Sequence, residues 1–511
     1  MTESLRALLE AGVADSPDKI VICADGVELT WSALGRQARR VAAALVRDGV
    51  KPQDRVIYLG KNDPRYFEVL FGCALAGAVL TPLNWRLAPA ELAAIIEDAQ
   101  ATIAIVDTAV VSSIDGRLKA IVALGPHPSW TPYAQWCGLS EDPGVPPEPE
   151  HIAFQLYTSG TTGRPKGAMF ANGTNLRVLL DDISVAWGFS ADDVSLVALP
   201  LFHMGGLAWA LAGLARGARC VVVRDFDPGA VLNTIEAENI TVAFFVPVML
   251  SAVCAVDGVG ARKTGLRRVF YSGAPISPAA LTRAMAALRC DFIQIYGLTE
   301  ATGAFAQLPA HEHDPNGPLA HLLLSAGRPY PWVEVRVVST SAPCDVPAGE
   351  IGEIWTRSEQ NLVGYWNDAE QTARALTPDG WLRTGDLGRL DQEGRIFLVD
   401  RAKDLVISGG ENVYPVEVEN VLAAHPQVAE VAVIGVPHER WGETVKAIVV
   451  PRPGAELDQD EVIGFVRQRL AAFKCPTSVD IAANLPRTAT GKVLKHVLRE
   501  PYWRSYDRRI N

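Results

Sequence analysis

The chain has 511 residues, of which 49% are hydrophobic and 21% charged, a composition typical of a globular protein with more than one domain. Its formal net charge of −11 excludes a general nucleic-acid binder, because such proteins present a basic surface. The eight cysteines are scattered without a C-x-x-C pair, which disfavours both a disulfide framework and a zinc site. The N-terminus lacks a signal-peptide core and the apolar runs are too short to span a bilayer, so we expect a cytoplasmic protein.

Helical patterns alternate with short β-rich segments through the first 330 residues. Helices are predicted at 30–49, with Thr30 as the N-cap, near 64–76, at 228–239 and after Ser277. Strands are predicted at 55–60, 102–107, 152–158, 194–199, 220–225, 241–246 and 267–273, and as the segment FIQI before residue 296. The alternation predicts an α/β fold: a large N-terminal domain of mostly parallel sheets covered by helices, with ligands in loops at the carboxyl ends of strands.

Beyond residue 330 the pattern changes to short strands separated by turn residues, at 332–338 and 349–357, which predicts a β-rich subdomain. A compact unit follows, with predicted helices at 416–425 and 460–473 and predicted strands at 429–436 and 445–451. We therefore expect a small α+β C-terminal domain of about 110 residues. The domain boundary is placed between 1–400 and 401–511.

The stretch 157-YTSGTTGRPKG-167 follows the predicted strand 152–158 and consists almost entirely of glycines, hydroxyls and two cations. Glycines allow the backbone to turn its N–H groups toward a ligand, and many short donors around a concavity suit phosphate oxygens. A Walker A loop is excluded, because Pro165 stands at the second glycine position and Gly167 replaces the magnesium-binding Ser or Thr. The other alternative is an exposed Gly/Thr loop without function.

This stretch resembles the phosphate loop of the adenylate-forming superfamily, which includes acyl- and aryl-CoA synthetases, adenylation domains and firefly luciferase. Four further segments resemble that family's motifs in its order: 296-YGLTEATG-303, 383-RTGD-386, 400-DRAKDLVISGGENVYP-415 and 486-PRTATGK-492. The pattern is closest to bacterial fatty-acid or aryl-acid CoA ligases. The resemblance implies a mobile C-terminal domain and two half-reactions: formation of acyl-AMP and pyrophosphate from an acid and ATP, then transfer of the acyl group to a thiol.

The resemblance also implies roles for individual residues. Lys492 would be the catalytic lysine of adenylation, Thr299 would contact phosphate, Glu300 would bind Mg²⁺, and Lys403 would lie at the hinge near 400–403. ATP or AMP would be bound by Thr158, Ser159, Gly160, Thr161, Thr162, Gly163, Lys166, Gly273, Ala274, Pro275, Tyr296, Gly297, Asp386 and Arg401. CoA would pass Ser408, Gly409 and Gly410.

The acid is the least determined part of the prediction. In 199-LPLFHMGGLAW-209 the family places His203 beside the acyl channel, and a buried structural histidine is the alternative. Phe202, Met204, Gly205, Trp209 and Phe245 would line an apolar acyl pocket. An apolar acid, fatty, aryl or cyclic, is favoured because this stretch offers no carboxylate for the ammonium group of an amino acid.

The sequence predicts an acyl-CoA ligase that uses ATP, Mg²⁺ and CoA. A stand-alone ligase that loads a carrier protein, and a silent nucleotide-binding homologue, are the alternatives. A homodimer is left open.

Overall fold

The structure is a computed structural model of the chain. It describes residues 3–111, 114, 118–138, 151–158, 165–274, 276–401, 404–408, 411–438, 441–488 and 491–504, with only the backbone of Arg401. Within these ranges no helix is both long and apolar enough to cross a membrane. Most buried apolar side chains between Leu5 and Ile396 form one large cluster, and a separate cluster runs from Val406 to Val479. The chain therefore has an extensive core before residue 400 and a smaller one after it.

Two large sheets carry the first part of the chain. Among the described residues the first sheet has nine strands in the spatial order Arg328–Pro329, Gly303–Leu308, Asp291–Leu298, Arg268–Tyr271, Val242–Phe245, Val194–Val197, Arg219–Val222, Ile20–Ala24 and Val27–Thr30. The second has eight, in the order Gly364–Tyr365, Lys166–Ala171, Ile152–Thr158, Val79–Leu83, Arg55–Leu59, Ile103–Val106, Ala120–Ala123 and Thr131–Pro132. Their central strands are parallel, as predicted, and antiparallel strands complete the edges.

Two antiparallel sheets complete the fold. The third sheet is the predicted β-rich subdomain and contains Glu334–Val338, Gly352–Arg357, Leu382–Leu390 and Ile396–Arg401. The fourth contains Glu411–Val413, Val406–Ser408, Gly442–Pro451 and Val428–His438, with Ser478–Ile481 parallel to Gly442–Pro451. These strands, with the helices of the last hundred residues, confirm the α+β character of the C-terminal unit.

Helices cover the sheets. The α-helices are Leu5–Asp15, Trp31–Arg47, Pro64–Ala76, Pro89–Ala99, Tyr133–Cys137, Ser184–Ala186, Met204–Ala215, Pro228–Ala237, Pro247–Cys254, Pro278–Leu288, Ala369–Ala375, Pro415–Ala423, Gln459–Arg467 and Lys495–Trp503. Their starts follow the predicted caps: the Thr30 hydroxyl accepts the N–H of Ala33, and the Ser277 hydroxyl accepts that of Ala280. Shorter π or 3-10 turns are Asn172–Leu176, Val178–Ile183, Val259–Ala261, Thr299–Ala301, Ala310–Glu312, Ala320–Leu324 and Ala472–Lys474.

Two predicted elements have the wrong length. The helix predicted at 460–473 ends at Arg467, and the chain then turns through Ala472–Lys474. The chain turns there to enter the strand Ser478–Ile481, which runs alongside Gly442–Pro451 and buries Val479. The strand predicted as FIQI continues to Leu298, because Tyr296, Gly297 and Leu298 pair with the antiparallel strand Gly303–Leu308.

Candidate active site

The phosphate-loop motif begins and ends on two paired strands. Thr158 closes the strand Ile152–Thr158, Lys166 opens the strand Lys166–Ala171, and these two residues are antiparallel partners. The ammonium of Lys166 donates to Oε1 of Gln371 at 2.5 Å. The predicted phosphate contacts between them, Ser159, Gly160, Thr161, Thr162 and Gly163, lie outside the described residues. The strand pairing thus fixes the two ends of the loop that the sequence singled out.

Glu300 lies beside the end of the phosphate-loop strand, although 142 positions separate it from Thr158 in the sequence. The Thr158 hydroxyl donates to Oε1 of Glu300 at 3.4 Å, and the hydroxyl of Tyr365 donates to the same oxygen at 2.9 Å. Among the described residues no group of three His, Cys, Asp or Glu side chains could hold a metal ion. A single carboxylate that shares its cation with nucleotide oxygens and water suits Mg²⁺, so the donor set fits that ion.

The turn that carries Thr299 and Glu300 is held by a buried amide. The side-chain NH₂ of Gln360 donates to the carbonyls of Ala301 at 2.7 Å and Ala304 at 2.9 Å. The turn also needs glycine: a β-carbon at Gly297 would lie 1.7 Å from the carbonyl oxygen of Gly303. Sequence reasoning missed Gln360 and Tyr365, because no local pattern marks a residue whose partner lies about 60 positions away.

The residues predicted to contact the nucleoside meet beside the strand that precedes this turn. The hydroxyl of Tyr296 donates to Oδ2 of Asp386 at 2.8 Å, and both side chains are buried. Asp386 is the antiparallel partner of Arg401, so the two predicted ribose contacts are neighbours on paired strands. Gly273 has a φ of +91°, and a β-carbon there would lie 3.2 Å from Cγ1 of Val246, so its contact with a base stays a prediction. Ala274 adjoins it, whereas Pro275 lies outside the described residues.

His203 immediately precedes the helix Met204–Ala215. Its Nε2 is buried and has no hydrogen-bond partner among the described residues. Burial, together with the charge of Arg86, lowers the pKa of His203 to about 4. The ring is therefore neutral at pH 7, and Nε2 can donate or accept a hydrogen bond according to the tautomer. Because no described residue bonds to Nε2, a ligand is a suitable partner for it.

A cavity of about 370 Å³ lies beside Phe202, the residue before His203, between the N-terminal domain and a loop of the C-terminal unit. Phe202, Val246, Met249 and Arg86 line it on one side, and Thr488 and Gly491 on the other. Of the residues predicted to form an acyl pocket, Phe202 lies on this cavity. Met204, Trp209 and Phe245 are buried, and Gly205 packs near Phe244, so their role as acyl contacts stays a prediction.

The loop that carries Lys492 is a tight turn held against the N-terminal domain. The N–H of Thr488 donates to the carbonyl of Lys492, and the N–H of Lys492 donates to the hydroxyl of Thr488. A β-carbon at Gly491 would lie 2.3 Å from Cγ1 of Val248, so the loop packs against this side chain at a position where glycine fits best. Lys492 therefore sits at the face that the C-terminal unit turns toward the cavity.

The predicted CoA contacts and hinge are only partly described. Ser408 is buried at the end of the strand Val406–Ser408 and pairs with Glu411. Gly409, Gly410 and Lys403 lie outside the described residues.

Comparison with known proteins identifies the family. Residues 9–366 match the model of the AMP-binding enzymes, and residues 417–492 match that of the AMP-binding enzyme C-terminal domain. The chain is 39% identical over 502 residues to a fatty acid–[acyl-carrier-protein] ligase of Streptomyces coeruleorubidus, with 96% of this chain and 95% of that protein covered. It is 40% identical over 492 residues to a feruloyl-CoA synthase of an Amycolatopsis species, covering 95% and 96%.

Solved structures of similar fold agree with this family. ATP-bound MatB from Rhodopseudomonas palustris superimposes with a TM-score of 0.89 at 32% identity, over 98% of this chain and 99% of that one. The agreement confirms the fold class, a large N-terminal α/β domain followed by a smaller C-terminal domain. The chain therefore belongs to the AMP-binding enzymes of the adenylate-forming superfamily and is an ATP-dependent, AMP-forming acid–thiol ligase.

Proposed function

We propose that the chain activates an apolar carboxylic acid with ATP and then transfers the acyl group to CoA. The observation that carries this proposal is the contact between motifs that lie far apart in the sequence. Thr158 meets Glu300, Tyr296 meets Asp386, and the Gly491 loop lies against Val248 of the N-terminal domain. The cofactor is Mg²⁺, and CoA is the second substrate.

In the first half-reaction the acid carboxylate attacks the α-phosphorus of ATP. A P–O bond forms there while the bond from the α-phosphorus to the α,β-bridging oxygen breaks, and pyrophosphate leaves with that oxygen. Lys166 and the hydroxyl of Thr158 hold the departing phosphates, and Lys492 places a cation between the carboxylate and the α-phosphate. A positioned cation of this kind offsets the charge that develops in displacement. Mg²⁺ held through Glu300 supplies further charge compensation when bound.

In the second half-reaction the CoA sulfur attacks the acyl carbonyl. The C–S bond forms as the C–O bond to AMP breaks, and the thiol proton is released. Thr488 and Gly491 of the Lys492 loop line the cavity, and withdrawal of this loop before the thiol arrives would be a gating step of the lid type. Rotation about the hinge near Lys403 provides this withdrawal.

An apolar acid is favoured by the side chains around the cavity. Phe202, Val246, Val248 and Met249 form an apolar part of the lining, and Lys61, Arg86, Arg224, Asp225 and Arg487 form a charged part. The apolar part suits an aryl or acyl chain, whose burial contributes roughly 25 cal/mol per Å². Relatives that act on a fatty acid and on ferulate agree with either an aliphatic or an aryl acid.

A carrier protein as the thiol is the second candidate, supported by the 39% identity to a ligase whose acceptor is an acyl carrier protein. The feruloyl-CoA synthase is similar over the same length, so CoA is retained as the first choice. A cytoplasmic location and a homodimer stay predictions.

The proposal is tested with a panel of acids, C4 to C18 fatty acids, benzoates and cinnamates, by measuring AMP and acyl-CoA. We expect AMP release and acyl-CoA formation with at least one apolar acid. AMP release without acyl-CoA, together with acylation of a carrier protein, would move the acceptor to the carrier. The absence of AMP with every acid would contradict the proposed activity.

A further inference from the structure

Tyr365 lies between the strand Lys166–Ala171 and the turn Thr299–Ala301, which carries Glu300. It belongs to the short strand Gly364–Tyr365, which pairs with Lys166–Ala171 through Tyr365 and Ala168. Its hydroxyl donates to Oε1 of Glu300 at 2.9 Å. Its ring centroid lies 5.2 Å from the ammonium of Lys166, close enough for a cation–π interaction. One side chain therefore contacts both the carboxylate and the cation of the phosphate site.

The hydrogen bonds to Glu300 are distributed unevenly between its two oxygens. Among the described residues the donors Tyr365 and Thr158 both reach Oε1, and the bond from Thr158 is long at 3.4 Å. The shorter bond from Tyr365 is thus the principal restraint on the carboxylate. No donor among the described residues reaches Oε2, so this oxygen is available to a further partner.

The place of Tyr365 in the fold does not depend on its hydroxyl. Its backbone N–H donates to the hydroxyl of Thr372 at 2.9 Å, and its strand is paired with the strand Lys166–Ala171. Removal of the oxygen alone leaves the backbone contacts and the ring in position. The O–H⋯Glu300 bond can therefore be deleted without dismantling the strand.

We propose that Tyr365 is a positioning residue for the magnesium carboxylate: its hydroxyl fixes Glu300 so that Oε2 faces the cation shared with ATP. This inference rests on the proposed role of Glu300 as the protein ligand of Mg²⁺. Partners that orient a metal-binding carboxylate typically change metal affinity by about 10- to 100-fold when they are removed.

The test is equilibrium binding of ATP to the full-length chain, without acid or CoA, in EDTA and in excess Mg²⁺. In Y365F we expect the Mg²⁺-dependent gain in ATP affinity to fall by about 10-fold or more, with metal-free binding unchanged. Y330F is the matched control. It removes another buried tyrosine hydroxyl, which accepts from Trp187 and donates to Gln307, and it should leave both affinities unchanged.

Glu300→Gln separates the inference from the proposed function. If Mg²⁺ raises the ATP affinity of E300Q as much as that of the unchanged protein, Glu300 is not the Mg²⁺ ligand. If Mg²⁺ no longer raises the ATP affinity of E300Q but still raises that of Y365F, the positioning role of Tyr365 is overturned. Equal losses of metal-free and Mg²⁺-dependent binding in Y365F would also overturn it, because they would indicate a general structural role. Thermal unfolding is measured for each variant, and Tyr365→Leu serves as the second variant if Y365F does not fold.

Discussion

Substitution of Gly491 by alanine should slow adenylation while sparing thioester formation. Gly491 has a φ of +77°, and a β-carbon there would lie 2.3 Å from Cγ1 of Val248 and 3.6 Å from Cγ2 of Val246. Carbon atoms in ordinary contact are about 3.5–4.0 Å apart, so the added methyl group overlaps Val248 by more than about 1 Å. The overlap exists only while the Lys492 loop lies against the N-terminal domain.

The cost of the alanine has two parts that can be separated. The left-handed backbone costs an alanine about 1–2 kcal/mol wherever the loop lies. Overpacking against Val248 costs about 1–3 kcal/mol, and this part applies only to the docked loop. Since about 1.4 kcal/mol corresponds to a factor of ten in rate, docking-dependent adenylation should fall by about 5- to 150-fold.

The assay compares the two half-reactions in one variant. ATP–pyrophosphate exchange reports adenylation, and CoA-dependent consumption of a supplied acyl-adenylate reports thioester formation. Gly454→Ala is the matched control, because Gly454 has a φ of +78° in the same C-terminal unit and no atom within 4 Å of its added β-carbon. We expect G454A to leave exchange unchanged and Val248→Ala to restore exchange to G491A.

Two results would refute this reasoning. Equal losses in exchange and thioester formation would mean that the alanine harms the C-terminal unit in every position. A Val248→Ala, Gly491→Ala double variant as slow as G491A would mean that contact with Val248 does not limit docking.

Three further predictions concern Lys492, His203 and Asp193. Lys492→Ala should abolish ATP–pyrophosphate exchange and spare thioester formation from a supplied acyl-adenylate; unchanged exchange would contradict its role. Because the pKa of His203 is lowered to about 4 from 6.5, only the unfolded chain gains its proton between those values, so stability falls as pH drops through this window. The loss reaches about 3 kcal/mol near pH 4, and urea unfolding should find it smaller in His203→Asn. Asp193 is buried and accepts from Arg267 at 2.6 Å and from Thr241 at 2.7 Å. Asp193→Ala should therefore lower the free energy of unfolding by about 3 kcal/mol, and a loss below about 1 kcal/mol would contradict the importance of this network.

Much of the fold was predictable because its signals are local. Thr30 caps its helix by accepting the N–H of Ala33, three residues later. Pro64 and Pro278 occupy the first positions of their helices, directly after the N-cap residue. Hydrophobic periodicity gave the buried parallel strands, and the spacing of the motifs gave the family. These features depend on residues within a few positions of one another.

The candidate site was predicted residue by residue but not as an arrangement. Glycine-rich and carboxylate motifs predict phosphate and metal chemistry from residue types alone, and the structure brings Thr158 to Glu300 and Tyr296 to Asp386. Gln360 and Tyr365 carry no motif that the sequence reasoning recognised, and they became visible only through their contacts with the Glu300 turn.

The amino-acid sequence by itself determined the family, the order of the domains and the chemistry of the phosphate loop, because these depend on residue types at fixed local spacing. Only the tertiary structure decided that Tyr365 holds Glu300 and that Gly491 lies against Val248. Such contacts join residues far apart in the chain. They depend on strand register and on the packing of one domain on the other, which local sequence patterns do not predict.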